Sequence, residues 1–452
     1  MRSPFSPAFS ASLMATALFV AATVSCPASG IPSVLHADTS GTTRPDAHIG
    51  SAAGAAGNWG AVWTSDAPIG TNFGILFQRS TNDGATWSVP ADISLGAGSA
   101  ADAGDHPMLA TDGSQTWIAA WDATVATPTG IDSARRVFLA RSTDGGATFA
   151  APVAVSTDAT DPMRSNSAPW LATDEAGVWV AVWQAVSPQG SPLGADSDIM
   201  FSRSTDDGVT WSAPAPLNAN AATDKMGDAV PRVATDKTGN WVATWQTFGA
   251  DDPTSKVLSN VHAARSTDNG VTWGAPVLVS ASTEIPDPMY DDTPAIAWVG
   301  GNDWVLVWVS GETTAPQAQP GGRVWVARST DEGATFGAPV CLNPGAAFAA
   351  ASHPGVVTAG ATLAVVWDEA VGGDGQPRLK AAFSGDAGVT WGAPGLLTTD
   401  PAGGGIRPAA AARASGRMLV AWPAGTVGRA GDYFYMVFDA AAAGISDWML
   451  WR

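Results

Sequence analysis

The chain has 452 residues, 45% of them hydrophobic and only 14% charged, and its formal net charge is −19. So acidic a surface disfavours nucleic acid and anionic membranes as partners. Fifty glycines, 32 prolines and 21 tryptophans suit a large core built from many short strands and many turns.

Residues 1–30 read as an export signal. Arg2 precedes a moderately apolar run, Leu13–Val24, followed by small residues. That run is too short to span a bilayer as a stable helix, and nothing later in the chain looks transmembrane. Two fates remain open: cleavage near residues 25–30, or lipidation of Cys26. Thr23-Val24-Ser25-Cys26 resembles a bacterial lipobox, with Thr where Leu is usual. The protein is expected to be exported, whether secreted, periplasmic or lipid-anchored at the cell surface. The other cysteine, Cys341 in the apolar run Val340-Cys341-Leu342, is expected to be a buried, inert thiol, and no disulfide framework is implied.

From residue 31 onward one supersecondary unit repeats, so residues 31–452 read as a single domain. Each repeat offers four strand-like pieces. The first is an x-Pro-x-x-Ala segment, as at His106–Ala110, Ala168–Ala172, Val230–Ala234 and Thr293–Ala297, with His353–Val357 and Arg407–Ala411 as later copies. The second is anchored by tryptophan, as at Trp117–Trp121, Trp179–Trp183, Trp241–Trp245 and Trp304–Trp308. Tryptophans at i and i+4 of a strand share a face, and that face is expected to pack on the neighbouring repeat. A third piece leads into a turn and a fourth follows it, as at Val137–Arg141 and Ala151–Val155.

Four antiparallel strands per repeat predict an all-β, seven-bladed β-propeller, with six blades and an irregular closure as the alternative. Blade 1 is found by aligning backward from Trp59–Trp63, which sets His48 opposite His106. Blade 7 is degenerate: Arg407–Ala411, Met418–Trp422 and Tyr433–Phe438 are its first three strands. Ile31–Leu35 resembles a fourth strand, and the N-terminal segment is expected to supply the outer strand of blade 7, or to share it with the C-terminal residues, as a clasp that removes an exposed sheet edge.

The turn between third and fourth pieces is the clearest signal. Arg-Ser-Thr-Asp-x-Gly-x-Thr-Trp/Phe stands at Arg141–Phe149, Arg203–Trp211, Arg265–Trp273 and Arg328–Phe336. A close copy, with Asn82 for Asp, stands at Arg79–Trp87, and a looser one at Phe383–Trp391. The box serines recur at spacings of 62 residues three times, then 63 and 55. The box reads as a self-locking corner. Gly146, Gly208, Gly270, Gly333 and Gly388 supply a backbone shape other residues resist. Asp144, Asp206, Asp268, Asp331 and Asp386 bond the turn from within, helped by Ser142 and Thr148 and their counterparts. Trp211, Trp273 and Trp391 close the box with a large group to bury. A single active site does not need six copies, so these aspartates are read as structural.

Ser-x-Asp-x-Gly-x-Thr-Trp resembles the Asp-box, or BNR repeat, of the sialidase (neuraminidase) superfamily, over roughly residues 31–452. In that family the box lies at the turn between the third and fourth strands of a propeller blade, away from the active site. The resemblance implies glycan recognition, with exo-sialidase or other glycoside hydrolase activity. Family sialidases grip the sugar carboxylate with three arginines and add an Asp acid/base and a Tyr nucleophile paired with Glu. The family's Arg-Ile-Pro opening is absent, and the aligned stretch here is Ala47-His48-Ile49-Gly50. The residues that remain for such roles are Arg164, Arg232 and Arg407, with Tyr290 and Glu284 as the nucleophile pair.

Any ligand site is expected on the face opposite the boxes, where acidic blade-to-blade loops converge on the axis. The richest loop holds Glu284, Asp287, Tyr290, Asp291 and Asp292. Paired carboxylates such as Asp291 and Asp292 suit Ca²⁺, although no EF-hand spacing is present, and no other cofactor is implied. Two partner classes stay open: a glycan or glycoconjugate, and a protein or peptide bound by a non-catalytic scaffold. A monomer is expected.

Overall fold

The computed structural model describes residues 33–36, 48–55, 57–69, 72–94, 104–127, 130–157, 164–188, 190–194, 196–249, 259–280, 289–312, 322–344, 351–370, 377–398, 407–423 and 433–439. They form seven four-stranded antiparallel blades arranged as a propeller. In blade 3 the strands run Ser165–Thr173, Trp179–Val186, Ser197–Ser204 and Ala215–Pro216 from the axis outward. Blades 4 and 5 touch through one parallel bridge, between Ser259 and Tyr290. No helix of the described residues is long and apolar enough to cross a membrane.

The second strands carry the core. Twelve tryptophans, from Trp59 and Trp63 to Trp367 and Trp422, are less than 2% exposed. They pack between blades: Trp117 and Trp121 of blade 2 meet Ile75 and Phe77 of blade 1, and Trp179 and Trp183 of blade 3 meet Met108 and Ile118 of blade 2. Removing so large a side chain from water contributes roughly 4–6 kcal/mol at about 25 cal/mol per Å².

The outer strands are shorter than the sequence suggests. In blades 1 to 6 only two residues of each pair, as at Val153–Ala154 and Val277–Leu278. Prolines precede them or lie within them (Pro152, Pro216, Pro276), and a proline has no N–H to give a ladder.

Each box closes on itself as the residue types require. In blade 3, Ser204 Oγ donates to Asp206 Oδ1 (2.8 Å), and Gly208 N donates to Ser204 Oγ (2.9 Å). Thr210 donates its backbone N–H to Asp206 Oδ1 (2.8 Å) and its hydroxyl to Oδ2 (2.6 Å). Asp144, Asp268, Asp331 and Asp386 make the same set. These bonds favour the carboxylate and hold Asp268 down at about 2 although burial opposes it.

The box arginine reaches forward to the next blade. Arg79 Nη1 donates to Gly145 O (3.2 Å), Arg141 Nε to Asp207 O (2.6 Å), Arg203 Nε to Asn269 O (2.6 Å) and Arg328 Nε to Ala387 O (3.0 Å). Arg265 meets the Glu332 carboxylate instead. Every acceptor residue stands just before the box glycine, in the left-handed region. From blade 6 to blade 7 the arginine gives way to Phe383, which packs with Met418 and Phe438. For blade 7 the sequence offers only an eroded box, Asp439–Trp448, and past Asp439 it lies outside the described residues.

Ring closure uses both ends of the chain. Ser33–His36 pairs antiparallel with Tyr433–Asp439, as outer strand of blade 7. Arg413 then continues the series from blade 7 to blade 1. It donates to Asp83 Oδ1 (2.8 Å) and Asn58 O (2.5 Å) and lies 4.3 Å over the Trp59 ring. Cys341 is half-buried rather than buried, because its two-residue strand is at the blade's rim, and desolvation raises its thiol pKa.

Candidate functional site

The first strands bring one residue per blade to the axis. In blades 2 to 7 that residue precedes a proline and has positive φ: His106 (50°), Ala168 (52°), Val230 (51°), Thr293 (49°), His353 (47°) and Arg407 (51°). The bulge there breaks register with the second strand, for example between Asp105 and Met108. Left-handed backbone at β-branched Val230 and Thr293 costs about 1–3 kcal/mol each. Hydrogen bonds to carboxylates hold the shape: His106 N to Asp105 Oδ1 (2.8 Å), Thr293 N to Asp292 Oδ1 (2.6 Å), Ala168 N to Asp122 Oδ1 (3.1 Å) and Arg407 N to Asp368 Oδ1 (3.2 Å).

The ring of seven is chemically lopsided. Blades 3, 4 and 5 present Ala168, Val230 and Thr293. Blades 6, 7, 1 and 2 present His353, Arg407, His48 and His106, and these four form one continuous chain of contacts. Arg407 Nε bonds His353 Nε2 (3.2 Å), and Arg407 Nη1 meets His48 Nε2. The rings of His48 and His106 meet at a tilt of 46° with centroids 4.4 Å apart.

Each histidine is backed by a carboxylate. His48 Nδ1 bonds Asp105 Oδ1 (2.9 Å), His106 Nδ1 bonds Asp122 Oδ1 (2.8 Å), and His353 Nδ1 bonds Asp368 Oδ1 (2.9 Å). Asp122 and Asp368 follow the tryptophan of the second strand, Trp121-Asp122 and Trp367-Asp368, and are almost fully buried. Asp122 is further held by Arg135 Nε (2.5 Å), and Asp368 by Ser352 Oγ (2.7 Å). With Nδ1 against a carboxylate and Nε2 facing the Arg407 guanidinium, the contacts of His48 and His353 match the tautomer in which Nδ1 donates and Nε2 accepts.

Two neighbouring imidazoles are thereby pushed in opposite directions. Burial lowers the His48 pKa, and the charges of His106 and Arg407 add to that; the Asp105 hydrogen bond only partly offsets them. Burial also opposes charge on His106, but the Asp122 hydrogen bond and the charges of Asp122 and Asp105 outweigh it and raise its pKa. Asp105 is driven well below the usual carboxylate range by His48 and His106 despite its burial. His48, Asp105 and His106 stand close enough to share a cation. Three of the four ring nitrogens are committed to Asp105, Asp122 and Arg407, however, so the trio suits proton transfer better than metal binding.

The residues foreseen for the site divide. Arg407 is central. Arg232 lies 4.2 Å over the Trp170 ring, with burial lowering its pKa to about 10 and Asp292 opposing that. Asp292 is raised by burial, against the charges of His353, Arg232 and Arg407, and so belongs to the axial group. Asp291 does not join it. It is 4% exposed, burial raises it, and its partners are Ser310 and Trp308 of its own blade and Ser280 at the end of blade 4. Adjacent strand residues take opposite faces, which separates the Asp291–Asp292 pair expected to share a cation. Arg164 is also apart: it is 4% exposed and donates from Nε to Ser187 Oγ (3.1 Å). Glu284 and the Tyr290 side chain lie outside the described residues.

His48, His106 and His353 were not picked out as site residues from the sequence, and Asp105, Asp122 and Asp368 stand out there only as acidic loop residues of the expected ligand face. A readable signal exists. Comparing the residue before each inner-strand proline, blade by blade, sets His106, His353 and Arg407 against Ala168, Val230 and Thr293.

No protein-family model matches the chain, and no curated protein sequence does. Solved structures match its fold. A PL25 ulvan lyase aligns with a TM-score of 0.59 at 11% identity, covering 88% of this chain and 96% of that one. The GH93 α-L-arabinofuranosidase of Fusarium graminearum aligns with a TM-score of 0.51 at 15% identity, covering 78% and 97%. A Hadza microbial sialidase aligns with a TM-score of 0.50 at 18% identity, covering 88% and 75%. At these identities the likeness is one of fold.

Proposed function

We propose that this protein is an exported, sialidase-like Asp-box propeller that recognises a carboxylate-bearing glycan at the axial site and acts on it by proton transfer. The observation that carries the reading is the neighbouring pair His48 and His106, their rings 4.4 Å apart, whose pKa values are pushed apart by their surroundings. Such a split assigns an acid and a base within one site. His106 is the acid and His48 the base. Arg407 is the anion clamp, since a guanidinium matches a carboxylate fork to fork.

The same geometry explains how substrate would switch the site on. Arg407 covers His48 Nε2. A sugar carboxylate drawing the guanidinium onto itself uncovers that nitrogen within reach of a substrate proton or a water. Arg232 and Asp292 extend the polar wall on the other side of the axis. Proteins with related folds include an ulvan lyase, an α-L-arabinofuranosidase and a sialidase, which supports a glycan over other ligands. The export signal read in residues 1–30 agrees with a substrate outside the cell.

The second reading is a non-catalytic scaffold that binds a glycan, protein or peptide on this face. It is favoured by Arg407 filling the Nε2 side of two histidines at once.

The test is incubation of the purified mature chain with a fluorogenic sialoside and a panel of acidic and neutral polysaccharides. New double bonds are followed by ultraviolet absorbance and new reducing ends chemically, beside His106→Gln and Arg407→Lys variants. Turnover of an acidic sugar that drops at least about 100-fold in both variants establishes the reading, as general acid–base groups contribute that much. Binding without turnover, weakened by Arg407→Lys, establishes the scaffold instead. Turnover untouched by either substitution places the chemistry elsewhere.

A further inference from the structure

We propose that the loop face carries a calcium site between blades 3 and 4, built from Asp196, Asp198 and Asp224 with the side-chain oxygen of Asn220. It is separate from the axial cluster and stands independently of the proposed activity.

The first observation is the gathering of the carboxylates. Each of Asp196, Asp198 and Asp224 offers an oxygen, and these three lie within 4.8 Å of one another. Two ligands on opposite sides of one Ca²⁺, each at about 2.4 Å, are about 4.8 Å apart, so the three fit a single coordination sphere. They come from separate segments. Asp196 ends the loop joining the second and third strands of blade 3, and Asp198 lies in the third strand, Ser197–Ser204. Asp224 and Asn220 belong to the connection into the first strand of blade 4, Gly227–Thr235.

The second observation is a set of buried oxygens with no hydrogen-bond partner among the described residues. Asp198 is 0% exposed, and its Oδ2 has no hydrogen-bond partner among the described residues. Asp196 Oδ2 and Asn220 Oδ1 are likewise buried without a partner. The nearest amide is already spent. Asn218 Nδ2 donates to Asp198 Oδ1 (3.2 Å) and Asp228 Oδ2 (2.9 Å), and its Oδ1 accepts Ile199 N (3.1 Å). Asn220 turns its own Nδ2 to Asp224, which leaves its Oδ1 as an acceptor. An unsatisfied buried polar group costs about 1–3 kcal/mol, and more when charged, so several side by side call for a shared counter-ion.

The donor set selects the ion. Every atom offered is an oxygen, which excludes the nitrogen and sulfur preferences of zinc and copper. Ligands drawn from one strand and the loops of two blades suit the variable geometry of Ca²⁺ better than the strict octahedron of Mg²⁺. An ion there ties a loop of blade 3 to the connection entering blade 4, and so fixes the mouth of the propeller beside the axis.

The test uses the full mature chain, stripped with chelator and titrated with Ca²⁺ by calorimetry. Tb³⁺ luminescence sensitised by tryptophan serves as a second readout. Wild type is expected to bind one Ca²⁺ saturably, with a higher unfolding temperature, and Mg²⁺ to compete poorly. Asp198→Asn with Asp224→Asn is expected to fold, since it relieves like-charge repulsion, and to raise the Ca²⁺ Kd at least tenfold. Asp196→Asn, at a half-buried loop position, is the second variant and is expected to weaken binding in the same direction. Absence of saturable binding at about 10 mM Ca²⁺, beyond the roughly 1 mM of weak extracellular modules, overturns the proposal. So does binding that all three substitutions leave unchanged.

Discussion

Asp122→Asn tests the axial site at its anchor. The Asp122 side chain is fully buried and accepts from His106 Nδ1 (2.8 Å), Arg135 Nε (2.5 Å) and Ala168 N (3.1 Å). Asparagine keeps the shape and removes the charge. Breaking a buried pair while leaving its partner costs about 3–5 kcal/mol. Arg135 remains 23% exposed and water can reach it, so the low end, about 3 kcal/mol, is expected. The pH dependence gives a sharper readout. In the native protein His106 is raised, so its contribution to stability is present below its ordinary value and is lost as pH rises through the raised one. Without Asp122, burial is no longer outweighed, His106 falls below its ordinary value, and the dependence reverses: stability is lost as pH falls. Denaturant unfolding across pH 5–9, with His106 followed by NMR, measures both. A stability change within about 0.5 kcal/mol, the range of a neutral surface substitution, would refute the argument. So would a His106 that still titrates above its ordinary value in the variant.

Three further outcomes are expected. Activity on an acidic sugar should peak between the lowered His48 value and the raised His106 value, with His106→Gln abolishing the alkaline limb of the pH–kcat/KM profile. Leu35→Ala, in the N-terminal outer strand of blade 7, empties a 7%-exposed site packed with Trp63 and Tyr433; it should cost about 2–3 kcal/mol in equilibrium unfolding. Arg141→Ala removes the 2.6 Å bond to Asp207 O that joins blades 2 and 3, and should cost about 1–2 kcal/mol, whereas Arg141→Lys should recover only part of it.

The fold was legible because it repeats. Six boxes and the Trp-x-x-x-Trp runs fix the strand order, the blade count and the buried face, and each is a local instruction written several times. Even the closure could be read, since Ile31–Leu35 looks like a fourth strand and Ser33–His36 pairs as one. The short outer strands were less legible, because whether a Pro-flanked rim residue pairs depends on the blade edge and not on its own sequence. The site was legible only in part. Arg407 and Arg232 were found because the family comparison directs attention to arginine, and it directs none to histidine. The carboxylates behind the histidines sit in other strands or other blades: His48 and Asp105 are 57 residues apart, and His48 and Arg407 are 359 apart. No periodicity brings such pairs together before the ring is closed.

A repeat protein nonetheless separates structure from chemistry by its own symmetry. Where all blades need the same thing, they carry the same residues. The box aspartates, the forward-reaching arginines and the buried tryptophans recur because each blade must lock its turn and grip its neighbour. The pre-proline position is under the same backbone demand in six blades, with φ between 47° and 52°. A purely structural ring has no reason to meet that demand with His, Arg and His in some blades and Ala, Val and Thr in the others. Glycine or asparagine meets it with less strain than any of these. The side chains at that position are therefore chosen for what they present to the axis. The same reasoning applies between blades 3 and 4. Asp196, Asp198 and Asp224 converge there with Asp228, and among the described residues no other pair of blades repeats that acidic cluster. Departure from the repeat is the sign by which both sites are recognised.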